Sequence, residues 1–62
     1  MNAYSADEKY HEVIREIEMR KKVYAHRIEM GMMTNSTAQQ RIAIMQEIAE
    51  DYRVLAEKER LL

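Results

Sequence analysis

The 62-residue chain has no cysteine, no proline, no tryptophan or phenylalanine, and one glycine. Without cysteine, neither a disulfide framework nor a thiolate metal site can form. Without proline, no position is barred from helix, and the single glycine marks the one place where the backbone is expected to turn. An excess of either charge is missing as well. The net charge is −1, and it is evenly spread: residues 1–30 carry six basic and six acidic side chains, residues 31–62 four and five. Such balance provides no long-range field to draw in nucleic acid or an anionic membrane, so both are disfavoured as partners. No apolar run approaches the ~20 residues of a membrane span. The opening stretch MNAYSADEKYHEV lacks the basic-then-apolar layout of a signal peptide. A soluble protein of the cytoplasm is expected, without a cofactor.

What is present is helix-forming. Glu, Lys, Arg, Ala, Ile and Met dominate, and 47% hydrophobic residues is too many for a disordered tail. Ser5-Ala6-Asp7-Glu8 fits a capping box. From there Tyr10, Val13, Ile14, Ile17, Tyr24 and Ile28 recur at steps of three, four and seven, within a stripe about 100° wide. Lys21 falls inside that stripe, where its alkyl stem is expected to cover the seam. Farther along, Ala38, Ile42, Met45, Ile48, Ala49, Tyr52, Leu55 and Ala56 share a face that Ile44 and Leu62 widen to roughly 160°, more than one facing helix covers.

Between the two patterns lies MGMMTNST, residues 30–37. Gly31 suits the left-handed position that ends a helix, with Met32 folding back on the last turn. Thr34 suits the N-cap of the next helix, with Met33 stapling onto Ala38; Ser36 with Gln39 is a competing cap. The chain therefore reads as one all-α domain over 1–62: helix 1 about 6–30, a turn at 31–34, helix 2 about 35–60. Helices of about 25 residues, roughly 37 Å each, joined by a short turn form an antiparallel two-helix hairpin. Folding about the turn sets Ile28 opposite Ala38, Tyr24 near Ile42, Ile17 opposite Ile48, Ile14 near Tyr52 and Tyr10 opposite Leu55.

So small a hairpin buries little surface by itself. The wide face of helix 2 points to a homodimer forming a four-helix bundle. The self-association and core set is Tyr10, Ile14, Ile17, Tyr24, Ile28, Ile42, Ile44, Met45, Ile48, Tyr52 and Leu55. A weaker strip, Met19, Val23, His26 and Met30, lies on the back of helix 1 and suits a further protein partner through its adaptable thioethers.

Chemistry-bearing constellations are sparse. Glu8 and His11 have the E-x-x-H spacing of carboxylate-bridged metal bundles, and Glu50 and Glu57 offer bridging carboxylates. However, Glu8 and His11 lie about 180° and 120° from the seam, so a metal-binding bundle is the lesser alternative. Arg20, Lys21, Lys22 and Arg27 form the one basic cluster and support a nucleic-acid-associated alternative. Favourable Glu16–Arg20 and Glu18–Lys22 pairs make a solvated helix face the simpler account. No nucleophile–base–orienter set and no glycine-rich phosphate loop occurs, so no enzymatic activity is expected.

The segment EIEMRKKVYAHRIEMGMMTNSTAQQRIAIMQEIAEDYRVL carries Met19, Arg20, Val23, Tyr24, Gly31, Met33, Thr34, Ala38, Ile42, Ala43, Met45, Asp51 and Tyr52 in the order M-R-x-x-V-Y, G-x-M-T, A-x-x-x-I-A-x-M, D-Y. Over about two-thirds of the chain this resembles a group of small uncharacterised proteins encoded by bacteriophages and prophages. Members often carry proline after V-Y, where this chain has Ala25. The resemblance implies a phage-type helical hairpin acting in the host cytoplasm, and it supplies no active site.

Overall fold

The computed structural model describes residues 3–61 and shows two helices, α1 (Ala6–Glu29) and α2 (Asn35–Leu61), and no strand among the described residues. They fold back on each other as a helical hairpin measuring 48 × 17 × 17 Å. The long dimension is a little more than the ~40 Å that a 27-residue helix spans. Leu62, counted above with the wide face of helix 2, lies outside the described residues.

The starts of both helices and the end of α1 fall where local chemistry satisfies orphan backbone groups. At the start of α1 the Glu8 amide donates to the Ser5 hydroxyl at 3.1 Å, and the Ser5 amide donates to the Glu8 carboxylate at 3.1 Å. This reciprocal pair is a complete capping box. At the other end Gly31 takes φ +72°, its amide donates to the Ile28 carbonyl at 3.0 Å, and the Met32 amide donates to the Arg27 carbonyl at 2.8 Å. That bonding pattern is a Schellman motif, which requires the left-handed residue glycine tolerates. The Met32 side chain does not fold back on the helix as expected. It is 74% exposed, and only its backbone closes the turn. Thr34 wins the competition to cap α2: its hydroxyl accepts from the Thr37 amide at 3.1 Å. At Ala25 α1 continues unbroken.

The far ends are tied across the hairpin. The Ala6 amide donates to the Glu59 carboxylate at 3.2 Å, and Arg60 Nη2 meets Asp7 Oδ1 at 3.0 Å. Counting back from these contacts sets Tyr10 level with Ala56, Ile17 with Ala49, Tyr24 with Ile42 and Ile28 with Ala38. The buried side chains agree with this register: Ala6, Ile17 and Tyr24 on α1, Ala38, Ala49 and Ala56 on α2. At three of these four levels a large residue of α1 lies level with an alanine of α2, which lets the helices approach closely; Tyr24 with Ile42 is the exception.

The levels therefore match the folding about the turn, but two residues on α2 differ. Ala49 and Ala56, and not Ile48 and Leu55, carry the seam opposite Ile17 and Tyr10. One residue along a helix is a 100° swing, so a neighbour at the same level faces elsewhere.

Candidate interaction surface

The seam of α2 is a run at alternating steps of four and three: Ala38, Ile42, Met45, Ala49, Tyr52 and Ala56, each buried or half-buried. This is the spacing of a single-partner seam, and α1 fills it. Ile44, Ile48 and Leu55 are not part of it. They are 51%, 42% and 46% exposed and fall within about 40° of one another on the helical projection, roughly 100° from the seam centre. The broad apolar face read from the sequence is therefore two narrow stripes, one spent on α1 and one uncovered. On α1, Ile14 is displaced about 70° from the seam toward the opposite flank of the hairpin and is 37% exposed. Of the eleven residues assigned to core and self-association, Ile17 and Tyr24 are buried; Tyr10, Ile28, Ile42, Met45 and Tyr52 are half-buried. Ile14, Ile44, Ile48 and Leu55 lie outside the hairpin's own core.

Tyr24 marks where this uncovered side begins. Its ring is buried, and its hydroxyl accepts from Arg20 Nη1 at 3.4 Å. The Arg20 hydrogen bond holds the phenol below its usual value against the opposing effect of burial, and Arg41 of α2 adds to the lowering. Arg20 in turn donates to Glu16 at 2.9 Å, and Glu16 and Tyr24 together raise the guanidinium's value. Arg20, Tyr24, Arg41, Ile44 and Met45 line a shallow groove of about 230 Å³ on this side. Beyond the lower end of the groove, the Lys9 ammonium sits 5.8 Å from the centre of the Tyr52 ring.

The remaining candidate residues are placed as follows. Met19, Val23, His26 and Met30 are all exposed along α1. Of the basic cluster, Arg20 pairs with Glu16 and Lys21 with Glu18 at 3.3 Å, while Lys22 and Arg27 are exposed. Lys21 lines a hollow at the seam with Tyr24, Ile28, Ala38 and Ile42, its ammonium on the Glu18 carboxylate. It also takes the carboxylate expected for Lys22, because an i, i+3 partner is as near on the helix surface as an i, i+4 one. Glu8 is engaged in the capping box, and His11 Nδ1 lies 2.8 Å from the Asp7 carbonyl oxygen. Among the described residues no three His, Asp or Glu side chains gather at one point. Glu50 and Glu57 both face Arg53, at 2.7 and 3.4 Å, on the outer surface of α2. A hollow of about 630 Å³ follows the first turns of α1 from Tyr4 to Arg15, and one helix's outer surface encloses nothing. Among the described residues no helix is long and apolar enough to cross a membrane.

The second stripe was present in the sequence as membership of the wide face, but its separateness was not. The signal that distinguishes the two is the unbroken four–three spacing from Ala38 to Ala56. The class of protein that this geometry defines is a helical hairpin with an uncovered apolar stripe along its second helix. Comparison with known protein families, with characterised proteins and with solved structures finds no match.

Proposed function

We propose that the chain is a non-enzymatic protein–protein interaction module that self-associates through α2, as a homodimeric four-helix bundle. One observation carries this reading: Ile44, Ile48 and Leu55 stand exposed in a single line that the hairpin's own first helix does not reach. Apolar side chains aligned on a helix lose contact with water only when a further helix lies along them. The accessory role in a phage or prophage setting, within the host cytoplasm, belongs to the same proposal and rests on the M-R-x-x-V-Y, G-x-M-T and D-Y pattern. In that setting the exposed Met19, Val23, His26 and Met30 strip is the surface left for a second protein once the stripe on α2 is covered.

The test is the molar mass of the purified chain by light scattering from low to high micromolar concentration. The proposal expects twice the chain mass at the upper end, and a monomer mass throughout overturns it.

A further inference from the structure

The exposed stripe on α2 extends past its three large residues with the spacing of a second seam: Thr37, Arg41, Ile44, Ile48, Asp51 and Leu55, at steps of four, three, four, three and four. Arg41 and Asp51 are both exposed. Among the described residues neither forms an ion pair within the chain, whereas Arg20, Lys21 and Arg53 all do. One positive and one negative side chain thus stand at opposite ends of the isoleucine pair with nothing to neutralise them. Resting on the self-association just proposed, we infer that a second copy of the chain lays its α2 antiparallel along this α2. The register sets Ile44 against the partner subunit's Ile48 and Arg41 against the partner subunit's Asp51.

Charge selects this register. In an antiparallel seam each layer joins the two alternate kinds of seam position, so the permitted registers differ by whole heptads. In the inferred one, isoleucine meets isoleucine twice at the centre, Arg41 meets Asp51 on both sides of it, and Thr37 meets Leu55. A shift of one heptad buries Asp51 against Ile48, brings the two Asp51 carboxylates together at the axis and opposes Arg41 to Lys58. A further heptad sets Lys58 on Ile48 and Asp51 on Leu55. A parallel arrangement sets Arg41 on Arg41 and Asp51 on Asp51. Only the first places Arg41 and Asp51 beside each other on both sides of the axis while keeping isoleucine on isoleucine at the centre, and like-charge juxtaposition is what excludes wrong registers.

Geometry supports the same occupant. The twofold axis falls between Ile44 and Ile48, near the midpoint of α2, so the two helices overlap from Asn35 to Glu57, about 34 Å. On this side α1 presents the exposed Met19, Val23 and Met30, which carry no charge to meet Arg41 or Asp51. It offers Arg20, already matched by Glu16 at 2.9 Å. A partner's α2 is therefore the complementary surface that the chain itself supplies.

The test uses full-length Arg41→Glu and Asp51→Arg variants, with helicity checked by circular dichroism and association measured by sedimentation equilibrium. Each variant alone faces like charge at both pairs, and its dimer dissociation constant is expected to rise at least tenfold. An equimolar mixture of the two restores both pairs in a heterodimer, and its dissociation constant is expected to return to within about threefold of the unmodified chain. Since the chain has no cysteine, Ile44→Cys/Ile48→Cys provides a second measurement. The double variant oxidises to a covalent dimer, while either single variant does not, because like positions sit across the axis beyond the ~7 Å limit for a disulfide. If the unmodified chain dimerises but both charge variants associate as tightly as it does, or the double cysteine variant yields no covalent dimer, the register is overturned and self-association stands. If the unmodified chain stays monomeric, self-association itself falls.

Discussion

The backbone amide of Ala6 lies 3.2 Å from both carboxylate oxygens of Glu59, 53 positions along the chain. Ala6 opens α1, so this N–H is one of the four that the helix cannot satisfy internally, and the carboxylate also meets the positive end of the helix dipole. Glu59 therefore caps α1 from the other helix and pins the open end of the hairpin. Glu59→Ala is expected to cost about 1 kcal/mol and to speed amide exchange in the first turn of α1. Glu59→Gln, which keeps an acceptor without the charge, should cost less. An unchanged melting temperature together with unchanged exchange in Glu59→Ala would show that the carboxylate does not anchor the end.

Ala49 is 4% exposed and level with Ile17, which is equally buried. A side chain larger than a methyl group at Ala49 has to push the helices apart. Ala49→Leu should destabilise the hairpin by about 1–3 kcal/mol, although it adds apolar surface. Ala43, exposed on α2, is the control: Ala43→Leu there should change stability by less than about 0.5 kcal/mol. The midpoint of urea unfolding measures both, and equal midpoints would contradict the close approach at Ala49.

The two helices, their starts and the end of α1 were legible in the sequence because those boundaries are written in local chemistry. Ser5 with Glu8, Gly31, and Thr34 act on amides and carbonyls within a few residues of themselves, and no tertiary knowledge is needed to find them. The levels across the hairpin were legible too, since a tight turn leaves little choice of register. What was not legible was which neighbour at a given level faces the partner. Transfer free energy singles out Ile48 and Leu55 over Ala49 and Ala56, yet opposite Ile17 and Tyr10 a seam of closely approaching helices takes the smaller residue. The contacts of Ala6 with Glu59 and Asp7 with Arg60 were hidden for another reason. They join the two ends of the chain and depend on the level of every turn between them. Ile48 and Leu55, displaced from the seam by their alanine neighbours, make up the uncovered stripe together with Ile44.

Gly31 has φ +72°, and a Cβ built there meets nothing within 4 Å. Substitution at this position is therefore penalised by backbone conformation alone. Gly31→Ala is expected to cost about 1–2 kcal/mol, and Gly31→Asn less, because asparagine enters the left-handed region more readily. Thr34→Ala, which removes the acceptor for the Thr37 amide, should cost about 1 kcal/mol. Thermal unfolding of the three variants checks the order, and a Gly31→Asn variant less stable than Gly31→Ala would contradict it.

Acid should weaken the outer surface of α2 before its seam. Glu50 accepts from Arg53 at 2.7 and 2.9 Å, and this hydrogen bond holds its carboxyl below the ordinary value of 4.5. A carboxyl lowered in the folded state stabilises it fully above the unfolded value, and that contribution fades as pH falls through the lowered one. Stability is thus expected to decline below about pH 4.5, and Glu50→Gln should make that decline shallower. Urea midpoints from pH 6 to pH 3 measure this, and parallel profiles for the two proteins would remove Glu50 from the account.

Tyr24 provides a sharper reading of the uncovered side, with the opposite pH sense. Its ordinary value is 10.0, and the hydrogen bond from Arg20, joined by the charges of Arg20 and Arg41, holds it lower in the folded chain. At neutral pH the phenol is protonated in both folded and unfolded chains, so the lowering contributes nothing to stability there. As pH rises through the lowered value the folded state gains, and the gain is complete once pH exceeds 10.0, where the unfolded chain has ionised as well. Tyrosinate absorbance should show Tyr24 ionising ahead of the ordinary tyrosine value. Tyr24→Phe removes that early step. Arg20→Gln moves it to higher pH while leaving the ring buried, and Arg41→Gln moves it by less, since Arg20 makes the larger contribution. A titration unchanged by Arg20→Gln would dissociate the Tyr24 hydroxyl from the guanidinium drawn beside it at 3.4 Å.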